Sequence, residues 1–383
     1  MSRFVLFSVV IAVALIVSGC WDYLDIENRA YVFGVAVDRN PDGEGYLATI
    51  EIAHPQGQPQ SGSPGGQLPE PPKILKSRAG TTLGNALYHI GDGHLSQVPL
   101  WQEVKAIFIS DDVAREGIGP VIDLFFRSTV LNLRSYMYIV EGSAAEPLLW
   151  LPEFQPLTSR YVREMERQFA KNPLYAKPKS VIMTASRLIE AGAVMLPRLV
   201  MENGEVRLKG SAVIQDGVWV GWLDEPTTIG ANWLIGDLDR VMAQTGCPID
   251  ANHEITMELN AAEHRLDLTV DGDRIEARYR IGAIVRMLDM SGCLLNPTDL
   301  EDRILIERAA AEWMRRHLEL AIKRSQEELG VDFLGINVAF SRRFPQLARQ
   351  IEWNDVYPKV DIHVETEANL AHPGVLQVGP IIR

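Results

Sequence analysis

The apolar positions of this chain recur with period 2 in some stretches and with helical spacing in others, and the changes of period mark its elements. Tyr31 to Val37 is an almost unbroken apolar run ending at Asp38, which reads as a buried strand. Pro41-Asp42-Gly43-Glu44-Gly45 supplies a turn, and Tyr46 to Ile52 alternates as the returning strand of a hairpin. Behind Thr81 and Thr82, the residues Leu83, Ala86, Leu87 and Ile90 share one helical face, and Gly91 stops the helix. Val104 to Ile109 predicts a strand. Asp111 or Asp112 then caps a short helix, which Gly117-Ile118-Gly119-Pro120 breaks, and Pro120 opens a second helix through Phe126. Tyr136 to Val140 is a further strand, so strands and helices alternate as in a mixed layered fold.

Farther along, Glu205 to Trp222 reads as two strands around Asp216-Gly217, a dipeptide suited to the positive φ of a two-residue hairpin. Leu266-Leu268-Val270 and Ile275-Ala277-Tyr279-Ile281 alternate on either side of Asp271-Gly272-Asp273, and this alternation fixes their register. The strongest local pattern runs from Thr298 to Leu329. Thr298 and Glu301 have capping-box spacing, and Gly330 ends the segment. Leu300, Ile304, Ala310, Trp313, Met314, Leu318, Ala321 and Ile322 form an apolar stripe expected to pack on a sheet, the alternative being a face for a partner helix. The helix is about 45 Å long at 1.5 Å per residue.

These elements predict a multidomain α+β protein with mixed, mostly antiparallel sheets and packed helices, including one long amphipathic C-terminal helix. About 360 residues beyond the leader, 46% hydrophobic over the whole chain, suffice for more than one core. The organisation expected is a leader at 1–19, a stem at 20–30, an N-terminal α/β domain at 31–200, a hairpin-containing middle segment at 201–250 and a C-terminal α+β domain at 251–383. Residues 55–72 are rich in Pro, Gly, Gln and Ser with almost nothing to bury, which predicts a mobile surface loop.

The leader carries the most specific signal. Arg3 is followed by an uncharged apolar run from Phe4 to Val17, of signal-peptide length and short of the roughly 20 residues that span a bilayer. Val17-Ser18-Gly19-Cys20 resembles the bacterial lipobox, in which small residues admit the signal peptidase and the Cys thiol accepts a diacylglyceryl group. Two acyl chains make a stable anchor where one would be marginal. Cys20 is therefore the expected lipidation site, which puts the chain on the outer face of a cytoplasmic membrane.

Charge and cysteine usage narrow the partners. The formal net charge of −13 becomes −14 once the leader and its Arg3 are gone, and no cluster of Lys and Arg offers a face to nucleic acid. Cys247 and Cys293 are far apart in sequence; two buried free cysteines are the expectation, with pairing the alternative outside the cytoplasm.

Sequence hallmarks of catalysis are missing. There is no G-x-x-x-x-G-K-[ST], H-E-x-x-H, G-x-S-x-G or S-x-x-K, and Gly117-Ile118-Gly119 follows a helix cap where a dinucleotide motif would follow a strand. His89, Asp92 and His94 match no zinc spacing, and Asp271 and Asp273 lack the Gly and Glu of a calcium loop, so both groups read as turns. Glu164 and Glu166, two apart, cannot share a helix face as a hydrolytic pair. Trp219 and Trp222, three apart on a strand, are expected on opposite faces and so form no aromatic platform. The expectation is a protein without catalytic residues, metal or cofactor.

At this point the residues carry a resemblance to the Ger(x)C family, the lipoprotein C subunits of GerA-type spore germinant receptors. Gly19-Cys20-Trp21-Asp22 followed by Val32-Phe33-Gly34-Val35-Ala36-Val37-Asp38 is similar to the family's opening. Gly80-Thr81-Thr82, Ala114-Arg115-Glu116-Gly117-Ile118, Gly210-Ser211-Ala212-Val213 and Val220-Gly221-Trp222-Leu223 resemble its middle. Asp332-Phe333-Leu334-Gly335, Arg343, Pro345, Trp353 and Val360 to Val364 resemble its close. The resemblance implies a non-enzymatic membrane lipoprotein of the spore inner membrane that works beside a receptor's A subunit and polytopic B subunit when nutrients trigger germination. The competing expectation is a solute-binding lipoprotein of a nutrient transporter, which would have two similar lobes and a cleft.

Overall fold

The computed structural model describes residues 28–54, 72–92, 95–169 and 173–372, together with Phe7. In chain order the principal elements begin with β1 (Arg29–Arg39), β2 (Tyr46–Ala53), β3 (Lys73–Gly80), α1 (Leu83–Gly91), β4 (Val98–Leu100), β5 (Ala106–Ser110), α2 (Asp111–Glu116) and α3 (Gly119–Arg127). Then come β6 (Tyr136–Val140), α4 (Glu146–Leu149), α5 (Thr158–Phe169), β7 (Lys179–Ser180), α6 (Val181–Ala191), β8 (Ala193–Glu202), β9 (Glu205–Gln215), β10 (Val218–Leu223) and α7 (Glu225–Leu234). The last group is β11 (Arg240–Cys247), β12 (Asp250–Asp271), β13 (Arg274–Asp289), α8 (Leu300–Lys323), α9 (Ile336–Arg343) and β14 (Asp361–His372).

Two mixed sheets organise these elements. The first has ten strands in the order β10-β9-β8-β6-β5-β1-β2-β3, with β4 beside β1 and β7 beside β6. Its centre, β1, β5, β6 and β8, is parallel, and antiparallel pairs flank it on both sides. Parallel strands must be covered on both faces. Val35, Val37, Ile107 and Ile109 accordingly bury under α1, α2 and α3, while Ala36, Ala106, Phe108 and Tyr138 bury under α4 and α5. Within 201–250, β9 and β10 hydrogen-bond into this first sheet, and β11 begins the second.

The second sheet has the order β11-β12-β13-β14 and packs one face on α7 and α8. The alternation read around Gly272 extends over the whole of β12 and β13. On the open face Arg280 lies between Asp267 and Glu365, and Arg278 pairs with Glu276, a polar ladder that keeps this face wetted. Where α7 crosses α8, a Cβ on Gly230 would meet the His317 carbonyl oxygen at 1.9 Å, so only glycine permits this approach. At the β9–β10 turn Asp216 and Gly217 take φ of 50° and 86°, the left-handed pair expected of that dipeptide.

Several local expectations shift. The cap after β5 is Ser110, whose hydroxyl accepts from the Val113 N–H at 3.3 Å, so Asp111 and Asp112 fall inside the first turn. The long helix is capped by Asp299 and not by Thr298: its carboxylate accepts from the Glu301 and Asp302 N–H groups, while the Thr298 hydroxyl donates to Asn296. The helix widens into a π turn over Arg324–Leu329 before Gly330 at φ 65°. Ile306, Ala310, Trp313, Met314, Leu318 and Ala321 are buried, but Leu300 and Ile304 of the expected stripe are 70% and 38% exposed. Cys247 and Cys293 form a disulfide with Cα atoms 5.8 Å apart, which corrects the expectation of free thiols. The hairpin of β12 and β13 brings together residues 46 apart in sequence.

Candidate functional site

Cys20 lies outside the described residues, nine positions before β1 begins. The expected turn at His89, Asp92 and His94 is described only in part: His89 Nε2 accepts from the Asn85 side-chain amide at 3.0 Å, and His94 lies outside the described residues. Among the described residues no group of His, Cys, Asp and Glu is arranged to hold a metal ion. Some of the residues that carried the resemblance, Asp38, Arg115, Trp222, Asp332, Gly335 and Trp353, take part instead in three structural locks.

The first lock ties β1 and β2 to the helices beneath them. Asp38, at the end of β1, accepts from the Ala144 and Ala145 N–H groups at 2.7 and 3.0 Å, pinning the chain that enters α4. Burial raises its pKa against those two hydrogen bonds. On β2, Glu51 accepts from the Thr158 and Ser159 N–H groups at 2.8 and 3.0 Å, so a strand carboxylate caps the N-terminus of α5. The Ser159 hydroxyl also donates to it, and the Lys73 ammonium stands 3.0 Å away. Lys73 donates further to the Trp150 carbonyl and the Thr158 hydroxyl. Burial lowers its pKa from the ordinary lysine value, against the pull of Glu51. Sequence reasoning missed this cluster; the available signal was one charge, Glu51, set between Ile50 and Ile52 in an apolar run.

The second lock overturns the expectation for Trp219 and Trp222. Their rings lie side by side with centroids 5.1 Å apart. The cause is a β-bulge: Trp219 pairs with Ile214 and Gly221 with Val213, so Val220 is an extra residue and both tryptophans face the same way. The Arg115 guanidinium covers Trp219 and that of Arg198 covers Trp222, each 4.8 Å from the ring centroid. Both rings also pack on the core beneath α2, so the pair is closed to a ligand by its own arginines. The Trp222 carbonyl accepts from Arg324 at 2.9 Å, which joins the first sheet to the π turn beyond α8.

The third lock closes the C-terminal region. Asp332 is buried and accepts from the Gly335, Ile336 and Asn337 N–H groups at 2.8, 3.1 and 2.7 Å and from Trp353 Nε1 at 3.0 Å. Gly335 sits at φ 79° to let the chain turn around that carboxylate into α9. Burial raises the Asp332 pKa, opposing the hydrogen bonds that favour its charge. Asp332, Gly335 and Trp353 of the resemblance thus form one structural unit, and Asn337 Nδ2 extends it by donating to the Ala191 carbonyl of the first region.

Surface grooves also open among the described residues. The most apolar, about 530 Å³, runs between α1, β4 and the end of α3. A second of about 730 Å³ lies between α8 and β14, and a third of about 290 Å³ lies beside α6. The groove between α8 and β14 is lined by Glu319 and Glu327 among Arg315, Arg316 and Lys323, and the one beside α6 by Glu190 and Asp237 among Lys177, Lys179 and Arg187.

Two dissimilar sheets joined through α7 and α8, with buried carboxylates serving as locks, define an α+β protein whose signature residues are architectural. Residues 22–201 match the family described as Spore germination protein N-terminal domain, and residues 209–374 match Spore germination B3/ GerAC like, C-terminal. Spore germination protein YndF of Bacillus subtilis (strain 168) is 21% identical to this chain over 96% of each. Spore germination protein B3 of the same organism is 22% identical over 70% of each. The crystal structure of the GerBC protein shares the fold with a TM-score of 0.60 at 15% identity, covering 88% of this chain and 97% of that one. The chain belongs to the Ger(x)C family of spore germination proteins.

Proposed function

We propose that this chain is a non-enzymatic subunit of a nutrient germinant receptor, anchored by a diacylglyceryl group on Cys20 to the outer face of the spore inner membrane. It works there with membrane-embedded A and B subunits. The observation that carries the reading is the match to both germination domains, from residue 22 to residue 374, directly behind Val17-Ser18-Gly19-Cys20. The disulfide between Cys247 and Cys293 supports it, because such bonds persist outside the reducing cytosol. Among the described residues no helix is long and apolar enough to cross a membrane, so a covalent lipid supplies the attachment in this reading. A tether confines the chain to the plane of its partners and raises its effective concentration there, so modest interfaces suffice. A transporter's binding protein needs two similar lobes; a ten-stranded and a four-stranded sheet of different order are not alike.

The test is to replace Cys20→Ala in the spore former that carries the chain and score germination against a panel of nutrients, with membrane fractionation alongside. The reading expects loss of the response to at least one nutrient together with release of the chain from the membrane. Normal germination on every nutrient, in a strain without paralogous receptors, would contradict it.

A further inference from the structure

The groove between α1, β4 and α3 has a position as well as a composition. Its floor and walls include Leu87, Pro99, Trp101, Leu124 and Leu131. At its rim Tyr88 is 65%, Val98 51% and Val130 42% exposed. Two glycines of α1 keep it open: a Cβ on Gly84 would press on Leu124 at 3.3 Å, and one on Gly91 would reach Pro99 at 3.5 Å. Asp92 contributes its one carboxylate.

β4 is both a wall of this groove and the partner of the chain's first strand. Arg29, Ala30 and Tyr31 pair in parallel with Val98, Pro99 and Leu100. The groove therefore lies where the body of the protein meets the segment leading back to Cys20. Residues 21–28 separate Cys20 from Arg29, and a fully extended chain advances at most about 3.6 Å per residue. The start of β1 is thereby held within about 30 Å of the lipidated residue, roughly the thickness of one hydrocarbon core. An acidic chain gains nothing from anionic headgroups, whereas an exposed tyrosine and two exposed valines around an apolar floor suit a membrane interface.

We propose that this groove faces the bilayer and receives lipid acyl chains between Tyr88, Val98 and Val130, fixing the orientation of the protein on the membrane. This rests on the anchorage of Cys20 stated above. The tether brings the body to the surface and the groove decides which side of it is turned down.

The test uses the full lipidated chain in phosphatidylcholine vesicles whose acyl chains are brominated. With Cys20 lipidated and Cys247 bonded to Cys293, a cysteine introduced as Tyr88→Cys or Val130→Cys is the single reactive thiol and takes an environment-sensitive fluorophore. Glu365→Cys, on the open face of the second sheet, is the reference. Flotation with the vesicles reports anchorage, and loss of emission reports contact with acyl chains. The expected result is flotation of all three, loss of emission at positions 88 and 130, and unchanged emission at 365. Adding Val98→Asp to the labelled proteins should restore emission while leaving flotation intact. Flotation without loss of emission at 88 and 130 overturns the proposal and leaves the anchor standing, whether a protein segment or water fills the groove. Equal loss at 365 also overturns it, and failure to float overturns both readings.

Discussion

The carboxylate of Glu51 and the ammonium of Lys73 meet at 3.0 Å with 0% and 4% of their side chains exposed. Breaking such a pair from one side leaves a buried charge without compensation, which typically costs about 3–5 kcal/mol. Lys73→Met should therefore destabilise the protein by that amount in urea titrations. Glu51→Gln should cost less than Glu51→Ala, since the amide still accepts from the N-terminus of α5. A Lys73→Met protein as stable as the parent would show that the pair is not sealed from water.

Asp332 predicts a graded series. Asp332→Ala strands the Gly335, Ile336 and Asn337 N–H groups and Trp353 Nε1 in a buried site, a loss of about 3 kcal/mol or more. Trp353→Phe keeps the aromatic packing and loses one hydrogen bond to a charged group, about 1.5–3 kcal/mol. Denaturation midpoints in that order would support the lock; equal midpoints would assign Trp353 to packing alone.

The disulfide predicts that the mature chain shows no thiol to a thiol-specific reagent, even in denaturant. Closing a loop of this length removes denatured-state entropy worth about 4 kcal/mol in the chain-entropy account. Cys247→Ser with Cys293→Ser should lower stability by up to that amount, measured by the urea midpoint under non-reducing conditions.

His317 sets a pH dependence. Its Nδ1 lies 2.7 Å from the Trp313 carbonyl oxygen, its ring stacks on Trp313, and burial lowers its pKa below the ordinary 6.5. The unfolded chain then takes up a proton at a pH where the folded chain does not. Stability from this residue is complete above about pH 6.5 and is lost as pH falls from there through the lower folded value. His317→Gln, which does not titrate, should flatten the melting temperature in that window relative to the parent.

Much of the fold was legible where one rule decided the outcome. The hairpin at Asp216-Gly217 and the β12–β13 alternation follow from local φ and from period 2, and both appear as read. Helix caps slipped by one residue where two oxygen-bearing side chains were adjacent, as with Ser110 before Asp111 and Thr298 before Asp299. Trp219 and Trp222 came out wrong because a bulge is set by how β10 meets its partner, and nothing in Val220 announces it. The Glu51 cluster stayed hidden because its members are up to 108 positions apart, joined only once β1, β2 and α5 have packed. Asp332 and Trp353 were visible as signature residues, but their shared hydrogen bond is a property of the turn around Gly335.

The account as a whole depends on the fate of residue 20. Mass spectrometry of the N-terminal peptide from the mature protein, isolated from spore membranes, should find a chain that starts at Cys20 and carries the mass of a diacylglyceryl group. An uncleaved leader, or an unmodified thiol at that position, would contradict the anchored receptor subunit proposed here.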